Sequence, residues 1–225
     1  EARRRIASDG LLIESGLICL SEDGCSVGLA GQSGYLQLAR PLRKVMHYSY
    51  ASREEWVAAL IGEPLATPLA WEDFDHLGPV RELAAKMMAG AGKNGASGIN
   101  LLLHGPVGTG KTEFAKTLTG HVGTSIWSIG ETDDQGCEPT RGKRLAALKL
   151  AQRLLAKRVG TLVLLDEAED VLASEMPFFG RSRDRSKVYL NRMIEQNPVP
   201  IIWTCNDVAA IDPAVLRRMT LAVEV

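Results

Sequence analysis

The residues Gly105-Pro106-Val107-Gly108-Thr109-Gly110-Lys111-Thr112 fit the spacing G-x-x-x-x-G-K-[ST] of a phosphate-binding loop. Glycines at these positions let backbone N–H groups converge on one anion. A helix starting behind them adds its partial positive charge. Lys111 is spaced to reach β- and γ-phosphates, and the Thr112 hydroxyl to ligand Mg²⁺. A second set of hard oxygens lies downstream. Asp166 and Glu167 directly follow the run Thr161-Leu162-Val163-Leu164-Leu165. An acid at the carboxyl edge of a buried strand, beside such a loop, is placed to hold the Mg²⁺ shell. The next acid, Glu167, is placed to polarise an attacking water. Glu169 and Asp170 read as solvated residues of a helix start, where acids are favoured.

This chemistry needs a strand before the loop and a helix after it, and the sequence supplies both. Residues 99–103 are an apolar run, and residues 112–118 are helix-like. Residues 80–91 repeat apolar side chains at helical spacing, through Val80, Leu83, Ala84, Met87, Met88 and Ala91. A glycine-rich turn follows at 90–98. Residues 124–129 read as a strand and 130–140 as polar and irregular. A long helix is expected over 141–158, with Ala147, Leu148, Ala151, Leu154 and Leu155 on one face. Residues 174–186, with Arg181, Arg183 and Arg185 and followed by Lys187, read as a basic loop. A short helix runs to about Gln196. Strands are expected at 200–204 and 221–225. Continuous apolar strands alternating with helices predict an α/β, P-loop NTPase fold. Its core is a doubly wound parallel five-stranded sheet with helices on both faces. Nucleotide would sit at the carboxyl ends of the strands.

Residues 1–62 differ and predict a small N-terminal α+β segment, with helices at 36–46 and 53–61. The stretch Leu12-x-x-x-Gly16-Leu17-Ile18 resembles the close of a winged-helix unit, and a small packing module is the alternative. Residues 63–79 read as a linker and 80–225 as the core. Among 225 residues, 26 basic and 27 acidic side chains nearly cancel. No global charge therefore argues for nucleic acid or an anionic membrane. Cys19, Cys25, Cys137 and Cys205 have no C-x-x-C spacing, which argues against a zinc site or a disulfide framework. They read as inert thiols of a reducing, cytoplasmic setting. No apolar stretch approaches the ~20 residues of a membrane span. Glu1-Ala2-Arg3-Arg4-Arg5 has no signal-type apolar core behind it, and the chain reads as an excised fragment.

With both motifs in place, residues 71–225 resemble an AAA+ ATPase. Trp71-Glu72-Asp73-Phe74-Asp75-His76-Leu77-Gly78 resembles the family segment that lines the adenine pocket, which implies nucleotide contacts from His76, Leu77 and Gly78. Gly105 to Thr112, with Glu113 behind it, resembles the Walker A loop, and Leu162 to Glu167 the Walker B strand. Thr204-Cys205-Asn206-Asp207 resembles the sensor 1 strand end, which implies that Asn206 reads the γ-phosphate or orients the water. Ile211-Asp212-Pro213-Ala214-Val215-Leu216-Arg217-Arg218 resembles the helix that bears the arginine finger. Asp212 suits the N-cap and Pro213 the first helical position, so the helix would project Arg217 and Arg218 at its far end. Leu216-Arg217-Arg218-Met219 is similar to the Lon-like pattern at this point, and both that pattern and the usual family pattern imply Arg218 as the finger. The block also resembles a bacterial group of AAA-type ATPases in which this core follows an N-terminal region.

The resemblance implies ATP and Mg²⁺ as cofactors. It implies a catalytic set of Lys111, Glu167, Asn206 and Arg218, and Mg²⁺ ligands Thr112 and Asp166. It also implies a ring of copies, six by family habit, acting on a macromolecule, with protein favoured over DNA. A DNA-linked loader or helicase-like ATPase and a nucleotide-dependent scaffold with little hydrolysis remain the alternatives. The sequence departs from the family at three places. Residues 130–140 hold no aromatic for a pore loop. Met219-Thr220 stands where many members carry Gly-Arg-Phe-Asp. The chain stops in its fifth strand, ahead of the helical lid that usually follows.

Overall fold

A computed structural model describes residues 18–21, 35–38, 42, 45, 47–130, 139–173 and 183–225. The chain divides into two compact units, Glu1–Gly62 and Glu63–Val225. Of the stretch Leu12 to Ile18 expected to resemble a winged-helix close, all but Ile18 lies outside the described residues, as do residues 131–138 of the segment 130–140 and Arg181.

In the first unit, β1 (Ile18–Ser21) pairs antiparallel with β2 (Tyr35–Leu38), with Ile18 opposite Leu38. The helix expected from residue 36 is therefore wrong at its start. Tyr35, Leu36, Gln37 and Leu38 carry an apolar–polar alternation on one strand, and cross-strand pairing overrides the helical reading. Helix α1 (Arg53–Ile61) begins at Ser52, whose hydroxyl accepts the Glu55 N–H at 3.1 Å. The Glu55 carboxylate in turn accepts the Ala51 N–H at 2.7 Å. Val57 and Leu60 are its buried residues.

The second unit is built on five parallel strands. A short 3₁₀ segment, Trp71–Leu77, leads through Gly78 into helix α2 (Pro79–Asn94). Strand β3 (Asn100–His104) feeds the glycine loop and helix α3 (Lys111–His121). Then follow β4 (Ser125–Ser128), α4 (Arg141–Leu155), β5 (Thr161–Leu165) and the single-turn α5 (Glu169–Leu172). Helix α6 (Arg183–Gln196), β6 (Ile201–Cys205), the short α7 (Pro213–Leu216) and β7 (Leu221–Glu224) complete it. Arg183, Arg185 and Lys187 thus belong to a helix rather than to the basic loop expected there.

The strand order is β4-β5-β6-β3-β7, and every neighbouring pair is parallel. The chain leaves β3 toward β4 at one edge and then works back across the sheet. Right-handed crossovers under that reversal put α3 on one face and α4 and α6 on the other. Burial on both faces explains the unbroken apolar strands, since all five residues of β5 and of β6 are buried. One core joins Leu101 and Leu103, Leu162 and Leu164, and Ile202 to Ala84 and Met88 of α2 and to Phe114 and Leu118 of α3.

The amino ends of the central strands carry a buried polar network that apolar patterning does not reveal. The Asn100 amide donates to the carbonyls of Ile194 at 2.8 Å and Gly98 at 3.1 Å, and its oxygen accepts Trp203 Nε1–H at 3.1 Å. Gln152 brackets Val199, donating to its carbonyl at 3.0 Å and accepting its N–H at 2.9 Å. These bonds lock α4 and α6 to the bottom of the sheet. Replacing Asn100 by Ala strips partners from a fully buried indole N–H and two carbonyls. Urea denaturation should register a loss of about 2–4 kcal/mol, with the same dependence on denaturant.

Candidate functional site

The glycine loop leaves β3 at its carboxyl end and returns as α3, with Gly105, Gly108 and Gly110 all at positive φ. Gly105 has a steric reason besides its φ of 146°. A Cβ there would stand 2.4 Å from the Val225 carbonyl oxygen, where the chain following β7 crosses it. Gly110, at φ 91°, is the N-cap of α3 and leaves the first N–H groups of the helix open toward the loop. Pro106 and Thr109 close the loop on themselves, with the Thr109 hydroxyl donating to the Pro106 carbonyl at 3.0 Å. Val107 is exposed at the loop tip. The Lys111 side chain folds under the loop, and its ammonium donates to the carbonyls of Gly105 at 2.8 Å and Pro106 at 2.7 Å.

In the first turn of α3, the Thr112 hydroxyl meets both oxygens of Asp166, at 3.0 and 2.8 Å. Asp166 comes from the end of β5, two strands away from β3. The strand between them, β6, contributes Thr204, whose hydroxyl donates to Asp166 Oδ1 and accepts the Glu167 N–H at 2.9 Å. Phosphate loop, acidic strand end and intervening strand are thereby tied at one carboxylate.

Beside this junction lies a cleft of about 380 Å³ lined by Arg144, Asp166, Glu167, Glu169, Asp170 and Asn206, among others. The backbone N–H of Asn206 is accepted by the Glu169 carboxylate. The Asp170 carboxylate pairs with Arg144 of α4. Glu169 and Asp170 stand in the first turn of α5, as expected, and Asp170 is exposed, but both carboxylates also take partners outside that helix. The turn after β5 sets them over the strand ends, where a part-buried N–H and a buried guanidinium need acceptors.

The remaining expected residues stand apart. Glu113 turns toward residue 67 and accepts the Thr67 hydroxyl and the Lys116 ammonium, at 2.5 and 2.7 Å. Its carboxyl pKa is lowered, first by the Lys116 hydrogen bond and then by that of Thr67. The segment of His76, Leu77 and Gly78 is anchored through Phe74, which is buried against Phe114 with ring centroids 5.2 Å apart. Trp71 stacks on His121 at 4.1 Å with the Arg81 guanidinium 4.7 Å from its ring. His76 itself is exposed. Arg218 lies just beyond α7, donating from Nε to Glu195 of α6 at 2.6 Å and from a terminal nitrogen to the Ala214 carbonyl at 2.5 Å. Asp212 caps α7 by accepting the Ala214 N–H at 2.8 Å. No group of three or more His, Cys, Asp or Glu side chains gathers as a metal cluster among the described residues.

At the candidate site, sequence reasoning gives Arg144 no part, quotes Thr204 without a role of its own, and takes Glu169 as solvated. Thr204 is a hydroxyl at the end of an otherwise apolar strand. Arg144 was the more legible, because it stands one turn before Leu148 and two before Gln152 on the buried stripe of α4.

A glycine loop of this form, entering a helix from an inner strand of an all-parallel sheet, defines the P-loop nucleotide-binding proteins. Residues 101–225 match the family described as "ATPase family associated with various cellular activities (AAA)". The chain belongs to that AAA family and carries its ATPase domain. Among curated relatives, the replication factor C large subunit of Thermoplasma acidophilum is 30% identical over 112 residues, 48% of this chain and 25% of its own length. The Drosophila melanogaster homologue of ATPase family AAA domain-containing protein 3A is 33% identical over 130 residues, 56% of this chain and 21% of its own. The proteasome-activating nucleotidase of Aeropyrum pernix is 31% identical over 125 residues, 52% of this chain and 30% of its own. The matches thus span about half of this chain and a third or less of those relatives. A solved chain of the E. coli MS115-1 HORMA:CdnC:Trip13 complex shares the fold at 20% identity and TM-score 0.52, covering 75% of this chain and 70% of that one. No helix among the described residues is long and apolar enough to cross a membrane.

Cys205, fully buried at the end of β6, sits within this junction. Burial, and next the charge of Glu169, push its thiol up to about 11 from an ordinary 9.0. A raised thiol pKa means that its share of stability is intact below 9.0 and is lost as pH rises through about 11. At pH 8 the native thiol is protonated and covered. Mass spectrometry after iodoacetamide treatment should find Cys205 unmodified in native protein and alkylated in urea. Alkylation of the native protein at the rate of a free thiol would contradict the burial.

Proposed function

We propose that this domain binds ATP with Mg²⁺, hydrolyses it at an interface between copies of the chain, and couples hydrolysis to remodelling of a macromolecule. The observation that carries this reading is the contact of the Thr112 hydroxyl with both oxygens of Asp166. A hydroxyl and a carboxylate are hard oxygen donors, and they converge at the start of the helix behind the phosphate loop. Mg²⁺ favours such a set, with few protein oxygens and the remaining positions left to phosphate and water. Thr112 and Asp166 would hold the metal, while residues 105–112 cradle the phosphates and residues 76–78 flank the base. When bound, metal and nucleotide supply the transferable phosphoryl group and shield its charge.

The chain's own groups do the rest. Lys111 already donates to two carbonyls, so turning to phosphate oxygens exchanges neutral acceptors for charged, stronger ones. Glu167 lines the cleft as an exposed carboxylate and accepts the proton of an attacking water. Asn206 stands on the same cleft, held at its backbone by Glu169, and orients that water. Arg218 is half-buried and fixed in direction by Glu195 and Ala214, and it acts on the nucleotide of a neighbouring copy in a ring, six-membered by family habit.

A protein target is the reading we favour. It is motivated by relatives named for proteasome activation and for metalloproteolysis. The replication factor C relatives motivate a replication-linked alternative, which requires DNA binding with a steep salt dependence. Absence of DNA binding at low salt removes that alternative.

Two measurements test the hydrolytic reading. Glu167→Gln should keep ATP binding and lose turnover by about 10²–10⁴-fold, and undiminished hydrolysis would remove Glu167 from its role. Turnover per chain should rise with protein concentration, and Arg218→Ala should abolish that rise at a cost of about 10³-fold or more. Activity independent of concentration would rule out a finger acting between copies.

A further inference from the structure

Glu167 is the one non-glycine residue at positive φ among the described residues, at 46°. Such a conformation is strained for a residue with a Cβ and persists only where its surroundings over-determine it. Three hydrogen bonds surround it. The Thr204 hydroxyl accepts its N–H at 2.9 Å. One terminal nitrogen of Arg144 donates to its carbonyl at 2.8 Å, and the other donates to the carbonyl of Asp166, one residue earlier. The planar guanidinium thus spans two consecutive carbonyls and fixes the peptide between them on both sides. Arg144 is itself 8% exposed and is aligned by the Asp170 carboxylate. A buried guanidinium set on a carboxylate and two carbonyls is a costly arrangement, and packing alone would be served by an apolar residue on that face of α4.

We infer that Arg144 and Thr204 are positioning residues, which hold the strained backbone of Glu167 and so aim its carboxylate into the cleft. The inference rests on the reading of Glu167 as the group that activates water. It adds a device that holds that group in place before the nucleotide arrives. Neither side chain needs to touch the reacting atoms. Relaxation of the turn to negative φ would redirect the Cα–Cβ bond of Glu167 and carry its carboxylate away from the water, while the phosphate loop kept its grip. The effect should fall on kcat and spare nucleotide affinity.

The test compares Arg144→Gln, Thr204→Val, Thr204→Ser and Glu167→Gln in the full chain. ATP turnover is measured beside titration with a fluorescent ATP analogue and thermal unfolding. Arg144→Gln and Thr204→Val should each lose about 10- to 100-fold in kcat with unchanged affinity for the analogue. Thr204→Ser, which keeps the hydroxyl, should restore turnover. Should Arg144→Gln fail to fold, the Thr204 pair decides alone, because Val and Thr have nearly the same shape. Wild-type kcat in Arg144→Gln and Thr204→Val, beside an inactive Glu167→Gln, would overturn the inference and leave the hydrolytic reading standing. Loss of analogue binding in the folded variants would also overturn it, by showing general damage to the site. Wild-type turnover in Glu167→Gln would instead remove the reading on which the inference stands.

Discussion

Hydroxyl-to-carboxylate hydrogen bonds meet at Asp166 from two directions, Thr112 on one side and Thr204 on the other. A half-buried carboxylate at a strand end needs donors, and here they come from separate elements. The sheet order makes this possible. Although β6 lies between β5 and β3, the acid and the phosphate loop meet directly, through the Thr112 hydroxyl at Asp166. Thr204 on the intervening strand braces the acidic pair, with a single hydroxyl that accepts from one of its residues and donates to the other. Arg144 closes the same turn from beneath. The result is a site whose acidic groups are fixed by the fold.

The rigidity has a source at the opposite edge. Asn100, Gln152 and Asn197 are buried polar residues whose hydrogen bonds are directed at particular backbone groups. A parallel sheet covered on both faces by Leu, Ile and Ala tolerates small shifts of helix against strand. Directed polar bonds remove that freedom, because a slipped register would leave buried groups unpaired. Those at the amino ends set α4 and α6, and α4 carries Arg144 to the carboxyl ends. The pinning below and the clamp above are thus parts of one helix.

Most of the architecture was legible in residue pattern. Continuous apolar runs marked the inner strands β3, β5 and β6 of the parallel sheet, and helical spacing marked α2 and α4, because burial leaves a pattern in the residues. The errors share a cause. Residues 35–38 form a strand because β1 is there to pair with them, and local pattern does not report a distant partner. Arg183 and Arg185 look like loop residues by charge, yet they extend α6 toward its amino end. Glu169 and Asp170 are first-turn acids of α5, as their position suggests, and local pattern is silent only on their partners, the Asn206 N–H and the Arg144 guanidinium, dozens of residues away.

The sequence by itself determined the loop from Gly105 to Thr112, the acids after β5 and the parallel layering that brings strand ends together. These follow from contiguous spacing and local burial, which a chain carries wherever it is placed. Only the tertiary structure decided how Asp166 is held, that Glu167 sits at positive φ, that Glu113 turns toward Thr67, and that Arg218 is tethered to Glu195. Each of these depends on side chains that approach across different elements. Hydrogen bonds are short-ranged and directional, so the partner is fixed only when packing has brought the two groups within about 3 Å.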